Sequence, residues 1–384
     1  MLFISLLSIF FTSSNLTPVS SIKTTPSFNS VSYPLTFDHG LYKLKSYLGN
    51  PYQEFNMIFL LDYTQIFVQA INCKSSYTFP HQYNIKKSLT AHNTSLSSTG
   101  SPLSCYFYGF TISDFFTFQA QSIILSTRTN FTVANSDYGC TKYDADGTIG
   151  FGPQITYGTI PIIKHMKNAE EIDSAVLAIY LTNETDENVY PASALQVGGF
   201  NLSYYSSDSS QLFYMPANAN SYNWGLKFTT FSIGPFLEFN ASVVLSSTIE
   251  YMKGDLNQIS DILTSFFFDD YDCYSDLDHF HIYCFEHESK KLPNITFSYG
   301  NSSIVLSDEQ MWSCKNKNCT LKIDFNIAGE WIVGQVMMRN YFTLINYDNN
   351  SIGFAPAKEA KKKSHSSSMI LISISLVYLL ELIV

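Results

Sequence analysis

Phe55-Asn-Met-Ile-Phe-Leu-Leu-Asp-Tyr-Thr-Gln-Ile-Phe-Val-Gln-Ala70 reads as a buried strand, a turn and a second strand. Its first arm is a nearly unbroken apolar run, as expected of a strand covered on both faces. The second arm opens on the apolar triplet Ile66-Phe67-Val68. Upstream, Tyr42–Leu48 supplies another strand, and Gly49-Asn-Pro51-Tyr-Gln53 is the turn that joins it to the first arm.

The chain has 384 residues, enough for two packed units of ordinary size. Hydrophobic residues make up 45% and charged residues 14%, which excludes disorder and requires large cores. Phe, Tyr, Ser, Thr, Val and Ile dominate over helix formers, so the expectation is mainly β. A net charge of −10 argues against nucleic acid as a partner. Residues 1–20 read as a signal peptide and 21–37 as a Ser/Thr/Pro-rich leader. Nine Asn-x-Ser/Thr sequons follow, at Asn93, Asn130, Asn183, Asn201, Asn240, Asn294, Asn301, Asn318 and Asn349. Seven cysteines in an exported chain point to disulfides with one thiol left over.

Further along, strands are expected at Phe110–Ala120, Ile123–Val133 and Ser174–Leu181, and one amphipathic helix at Asp255–Phe268. The run Asp146-Gly-Thr-Ile-Gly-Phe-Gly152 places glycines where backbone passes beneath another loop. Leu60 to Gly150 spans 90 residues and Leu245 to Gly334 spans 89, so each half has an apolar strand, a loop, and an apolar-apolar-Gly strand at similar spacing. This is a two-fold repeat of one β unit with a cleft between the halves.

Taken with Leu195-Gln-Val-Gly-Gly-Phe-Asn201, Ala241-Ser-Val-Val-Leu-Ser-Ser-Thr248 and Glu330-Trp-Ile-Val-Gly334 through Ile352-Gly-Phe-Ala-Pro356, these motifs resemble the pepsin-type aspartic proteases over roughly residues 38–357. The resemblance implies a bilobal pepsin-like acid-protease fold, with one lobe at 38–205 and the other at 206–357. It also implies two Asp-Thr/Ser-Gly loops whose aspartates share a proton. Counting six residues back from Ile66 puts Leu60, Leu61 and Asp62 at the first loop. Matching Thr248 to the second motif's last Thr puts Leu245, Ser246 and Ser247 there. Leu60 and Leu245 thus stand at the two Asp positions, and no catalytic residue is expected. The hairpin flap of the family falls near residues 93–109, with Pro102 and Leu103 where its Tyr is expected. The family's second-lobe bridge implies that Cys284 pairs with Cys314 or Cys319.

His279, His281, Cys284 and His287 have the look of a metal cluster, yet a β-strand with surface histidines and a disulfide cysteine is the better reading, so neither metal nor cofactor is expected. The polar spacer 358–368 and apolar tail 369–384 read as a GPI-attachment signal or a short membrane anchor. The expected protein is a surface-anchored, glycosylated pseudoprotease holding an unidentified peptide or protein in its cleft. An active aspartic endopeptidase and a purely structural surface glycoprotein are the alternatives.

Overall fold

The computed structural model describes residues 30–362, apart from 76, 119–127, 141–143, 154–159, 183–188, 219–222, 235–236, 256, 262–272, 277–280, 286–292, 316–317 and 327–329. The signal, the tail, Asn183, His279 and His287 lie outside the described residues.

The strand Gln53–Leu60 runs parallel to Gly147–Gly150, with Leu60 opposite Gly150. The returning strand Ile66–Lys74 pairs antiparallel with the other edge of Gly147–Gly150, with Ile66 opposite Ile149. A late segment is therefore inserted between two consecutive strands. This burial on both faces explains why Met57, Ile58, Phe59 and Leu60 form an unbroken apolar run, each at most 2% exposed. The second half repeats the arrangement. Leu237–Leu245 runs parallel to Trp331–Val333, and Met252–Asp255 pairs antiparallel with the same strand.

Between the halves lies an antiparallel sheet to which both contribute. Its order is Val31–Asp38, Ala194–Val197, Val176–Tyr180, Tyr341–Asn346, Ser351–Pro356 and Phe213–Asn218. The first of these strands shortens the expected leader, since residues 31–37 belong to the fold. Lys361–Lys362, within the expected spacer, pairs with Val189–Tyr190. The strands expected at Phe110–Ala120 and Ile123–Val133 are displaced, to Tyr106–Thr117 and Arg128–Tyr138. Asp255 ends the strand Met252–Asp255, and its Oδ1 accepts the N–H groups of Asn257 and Gln258 at the start of the expected helix, of which residues 257–261 are described as helical and 262–268 lie outside the described residues.

The disulfide expectation is corrected. Cys273, Cys284, Cys319 and Cys314 form one row across four adjacent strands, so Cys284 directly faces both Cys273 and Cys319. The bonds formed are Cys273–Cys284 and Cys314–Cys319. This outward pairing joins all four, whereas Cys284–Cys319 would strand the two outer thiols on opposite edges. Cys105–Cys140 is the third bridge and Cys73 is free. Burial, with the nearby Asp137 carboxylate, pushes the Cys73 thiol up to about 12. Non-reducing peptide mapping should recover these three bridges. Cys73 should alkylate at pH 8 at least about 100-fold more slowly than a free thiol until the protein is unfolded.

Candidate functional site

The loops following Leu60 and Leu245 meet in the centre of the molecule through one side chain. Ser247 Oγ donates to the Phe59 carbonyl at 2.8 Å and accepts the Leu61 N–H at 3.2 Å. Ser247 is 1% exposed, so this bridge is shielded from water. Behind it, Gln335 Nε2 donates to Ser247 O at 2.8 Å and to Gly40 O at 2.7 Å. Arg339 Nη2 donates to Gln335 Oε1 at 2.6 Å, and its Nε donates to Tyr42 OH at 2.9 Å. On the other side the Phe151 carbonyl accepts from Trp224 Nε1 at 2.8 Å and from Tyr347 OH at 2.6 Å. All three anchors tie the first half of the chain to the second.

The expected equivalence of Leu60 and Leu245 does not hold: the counterpart of Leu60 is Ser246. Leu60 lies opposite Gly150, whereas Leu245 lies opposite Val333, one residue before Gly334. Ile66 faces Ile149 six residues after Leu60, and Met252 faces Val333 six residues after Ser246. The glycines agree. A Cβ on Gly150 would stand 2.3 Å from the carbonyl oxygen of Tyr63, three residues past Leu60. One on Gly334 would stand 2.1 Å from the carbonyl oxygen of Ile249, three past Ser246. Both approaches are closer than any side chain allows, which fixes glycine at each position. Leu245 is wholly buried in the core, with its N–H donating to Trp224 O.

The two symmetric positions therefore hold Leu60, 1% exposed, and Ser246, 2% exposed. Leu60 has no polar atom. Ser246 Oγ lies 3.1 Å from Thr248 Oγ1 and accepts the Thr248 N–H at 3.4 Å. Among the described residues, no titratable group hydrogen-bonds the Ser246 hydroxyl. Asp62 is the nearest carboxylate in sequence. Its surface is open to solvent, but dense protein around the carboxyl raises its pKa above the ordinary value. None of Asp62, Ser247 and Thr248 has positive φ, so their side chains carry no left-handed strain.

The hairpin formed by His92–Gly100 and Tyr106–Thr117 ends beside the first loop, where a Cβ on Gly100 would collide with the Tyr63 hydroxyl. Between its strands, Leu103 packs against the apolar cluster of Leu41, Ile58, Leu60 and Ala145, as Tyr63 also does. Beside the first loop, a cavity of about 400 Å³ is lined by Gln65, Leu96, Ser97, Thr111, Ile160 and His165, among others. Gln65 Oε1 is itself buried and has no hydrogen-bond partner among the described residues.

Two groups among the described residues bring three metal-ligating atoms within 4.8 Å of one another. In one, Cys105 and Cys140 are spent on their disulfide, beside Asp137. In the other, with His39 and Asp144, Asp38 is already held by Lys43 Nζ at 2.6 Å. Cys284 of the sequence-level cluster is likewise committed to Cys273. Of the nine sequons, Asn93, Asn130, Asn201, Asn240, Asn294, Asn301 and Asn349 are exposed, while Asn318 is half-buried with its Nδ2 directed at Tyr274 OH.

Two interleaved β units, joined by a shared sheet and meeting loop to loop, define a bilobal acid-protease fold. Residues 41–357 match the family model for eukaryotic aspartyl proteases, and the chain belongs to that family. It is 25% identical to chymosin of Bos taurus over 350 residues, covering 85% of this chain and 84% of that one. It is 23% identical to pepsin A of Canis lupus familiaris over 326 residues, covering 80% and 79%. Pregnancy-associated glycoprotein 2 of Bos taurus is 22% identical over 323 residues, covering 81% and 80%.

Ser247→Ala should remove the bridge and leave the Leu61 N–H unpartnered, costing roughly 1–3 kcal/mol in urea unfolding, while Ser247→Thr keeps most of it. Ser246→Ala, which loses only a local contact to Thr248, should cost clearly less. Asp62 should make the protein less stable as pH rises from 3.8 through its raised folded value, because the folded state holds the proton more tightly there. Asp62→Asn should abolish that part of the pH dependence.

Proposed function

We propose that this chain is a non-catalytic member of the aspartyl protease family, exported to the cell surface, that takes a peptide or protein segment beside its central loops. The observation that carries the reading is the pair Leu60 and Ser246. On the geometric register, Ser246-Ser247-Thr248 stands for the family's second Asp-Thr/Ser-Gly and Leu60-Leu61-Asp62 for the first. Catalysis in the family needs two carboxylates that share one proton, one acting as base toward water and the other as acid toward the carbonyl. A leucine and an unactivated hydroxyl supply neither role. Each missing acid or base forfeits roughly 10²–10⁴ in rate. Among the described residues, no second carboxylate is paired with Asp62 to divide the work.

Binding is supported by the cavity beside Gln65, whose lining of Ser97, Ser98, Thr111 and Asn130 with Leu96 and Ile160 offers both polar and apolar contacts to an extended peptide. Leu103 packed against the cluster that contains Leu60 favours filling there, so ligand contact concentrates on the Gln65 side. Three disulfides support an oxidising compartment. The exposed sequons are glycan acceptors on this reading, and the tail 369–384 is the anchor. No helix among the described residues is long and apolar enough to cross a membrane.

A quenched-fluorescence peptide library assayed from about pH 2 to 7 should show no turnover by the wild type. The Leu60→Asp, Ser246→Asp double variant should gain weak acid-dependent hydrolysis. The Leu60→Asp, Leu245→Asp variant should gain none and should be destabilised, because it buries a carboxylate in the core. Wild-type turnover abolished by Asp62→Asn would overturn the proposal.

A further inference from the structure

A cavity of about 710 Å³ lies far from the central loops in sequence, where the end of the first half meets the segment after the final long strand. Tyr190, Ser203, Ser207, Lys358, Glu359 and Lys361 line it. Its charged residues stand on pinned backbone. Lys361 is directly opposite Tyr190 in a two-stranded ladder. The Lys358 N–H donates to Tyr205 O at 2.8 Å, and its carbonyl accepts from Tyr180 OH at 2.6 Å. Tyr190 is braced edge-on by the Tyr204 ring at 5.0 Å, and 45% of its surface remains open. Among the described residues, none of Lys358, Glu359 and Lys361 is engaged in an ion pair. Two cations and one anion thus face a single open cavity on a chain whose net charge is −10.

We propose that this cavity binds a phospho-amine group: a phosphate ester with an ammonium two carbons away. Lys358 and Lys361 suit the phosphate oxygens as hydrogen-bond donors and as charges. Glu359 and the exposed Tyr190 ring suit the ammonium, by charge and by cation–π attraction. A simple phosphate would meet Glu359 as a repulsion, and a simple amine would meet the two lysines. Only the zwitterion satisfies all three charges. The volume lies within the roughly 300–1,000 Å³ usual for small-ligand sites. The sequence continues from Lys361 to an apolar stretch that begins at Met369, eight residues on. Eight residues reach at most about 30 Å, so a zwitterionic lipid headgroup and a free phospho-amine are both possible sources. The inference does not depend on whether the central loops are catalytic.

The test uses the full chain after enzymatic deglycosylation, so that a glycan at Asn201 does not compete. Phosphoethanolamine, inorganic phosphate and ethanolamine are titrated separately by calorimetry. Phosphoethanolamine should bind more tightly than either fragment. Lys358→Ala and Lys361→Ala should each weaken it about five-fold. Glu359→Gln should weaken phosphoethanolamine and leave phosphate unchanged or stronger. A second arm compares flotation of the wild type and the double lysine variant on phosphatidylethanolamine and on galactolipid vesicles, since the tail is common to both proteins. A difference confined to the phosphatidylethanolamine vesicles assigns the headgroup as source, and no difference assigns the free compound, provided the first arm binds. Phosphate binding as tightly as phosphoethanolamine, no binding of any of the three, or an unchanged affinity in Glu359→Gln would overturn the proposal.

Discussion

The hydroxyl of Ser247 is the smallest contact in the centre of this molecule and the one that fixes it. It reaches from the second half of the chain to a carbonyl and an N–H of the first, in a place sealed from water. Both backbone groups it serves would otherwise be buried without a partner, which a folded protein rarely tolerates. Gln335 holds the Ser247 carbonyl from behind and is itself oriented by Arg339. The register of the two loops is therefore set by hydrogen-bonding requirements that do not involve a catalytic group.

This separation of scaffold from chemistry explains how the fold persists. Close approach at Gly150 and Gly334, the bridge at Ser247 and the Phe151 carbonyl between Trp224 and Tyr347 all depend on small size or on neutral donors. None needs a charge at position 60 or 246. A buried carboxylate pair is costly to hold, because desolvation penalises each charge. Leucine at position 60 carries no such cost and joins an apolar cluster with Leu41, Ile58 and Ala145.

Much of the architecture was legible because its constraints are local and periodic. The six-residue spacing from Leu60 to Ile66, the glycines of Gly147–Gly152 and the repeat at about 90 residues each report a geometric demand that sequence cannot hide. The second loop was misread by one residue because Ser246, Ser247 and Thr248 are three consecutive hydroxyl residues, and matching any one of them to a motif is ambiguous. The spacing back from Met252, which faces the same strand as its counterpart Ile66, held the answer. The cysteine pairing was less accessible. Cys284 has a cysteine on each side in the ladder, and only the order of all four strands shows why it bonds to Cys273. Arg339 falls in register with the closing motif of the family, but the bonds that Gln335 and Arg339 make are not readable from spacing, since each reaches across nearly the whole length of the chain.

The central claim is that no shared-proton carboxylate pair exists between the loops. It is tested most directly by the affinity of two matched peptide analogues, one carrying a hydroxyl that mimics the tetrahedral intermediate and one with that hydroxyl removed. A carboxylate dyad binds such a hydroxyl far more tightly than its absence, by a factor of about 10² or more. Measured from about pH 3 to 7, the two analogues should bind this protein with equal affinity and no pH dependence in their difference. A preference of about 100-fold for the hydroxyl analogue, vanishing as pH rises, would contradict the account.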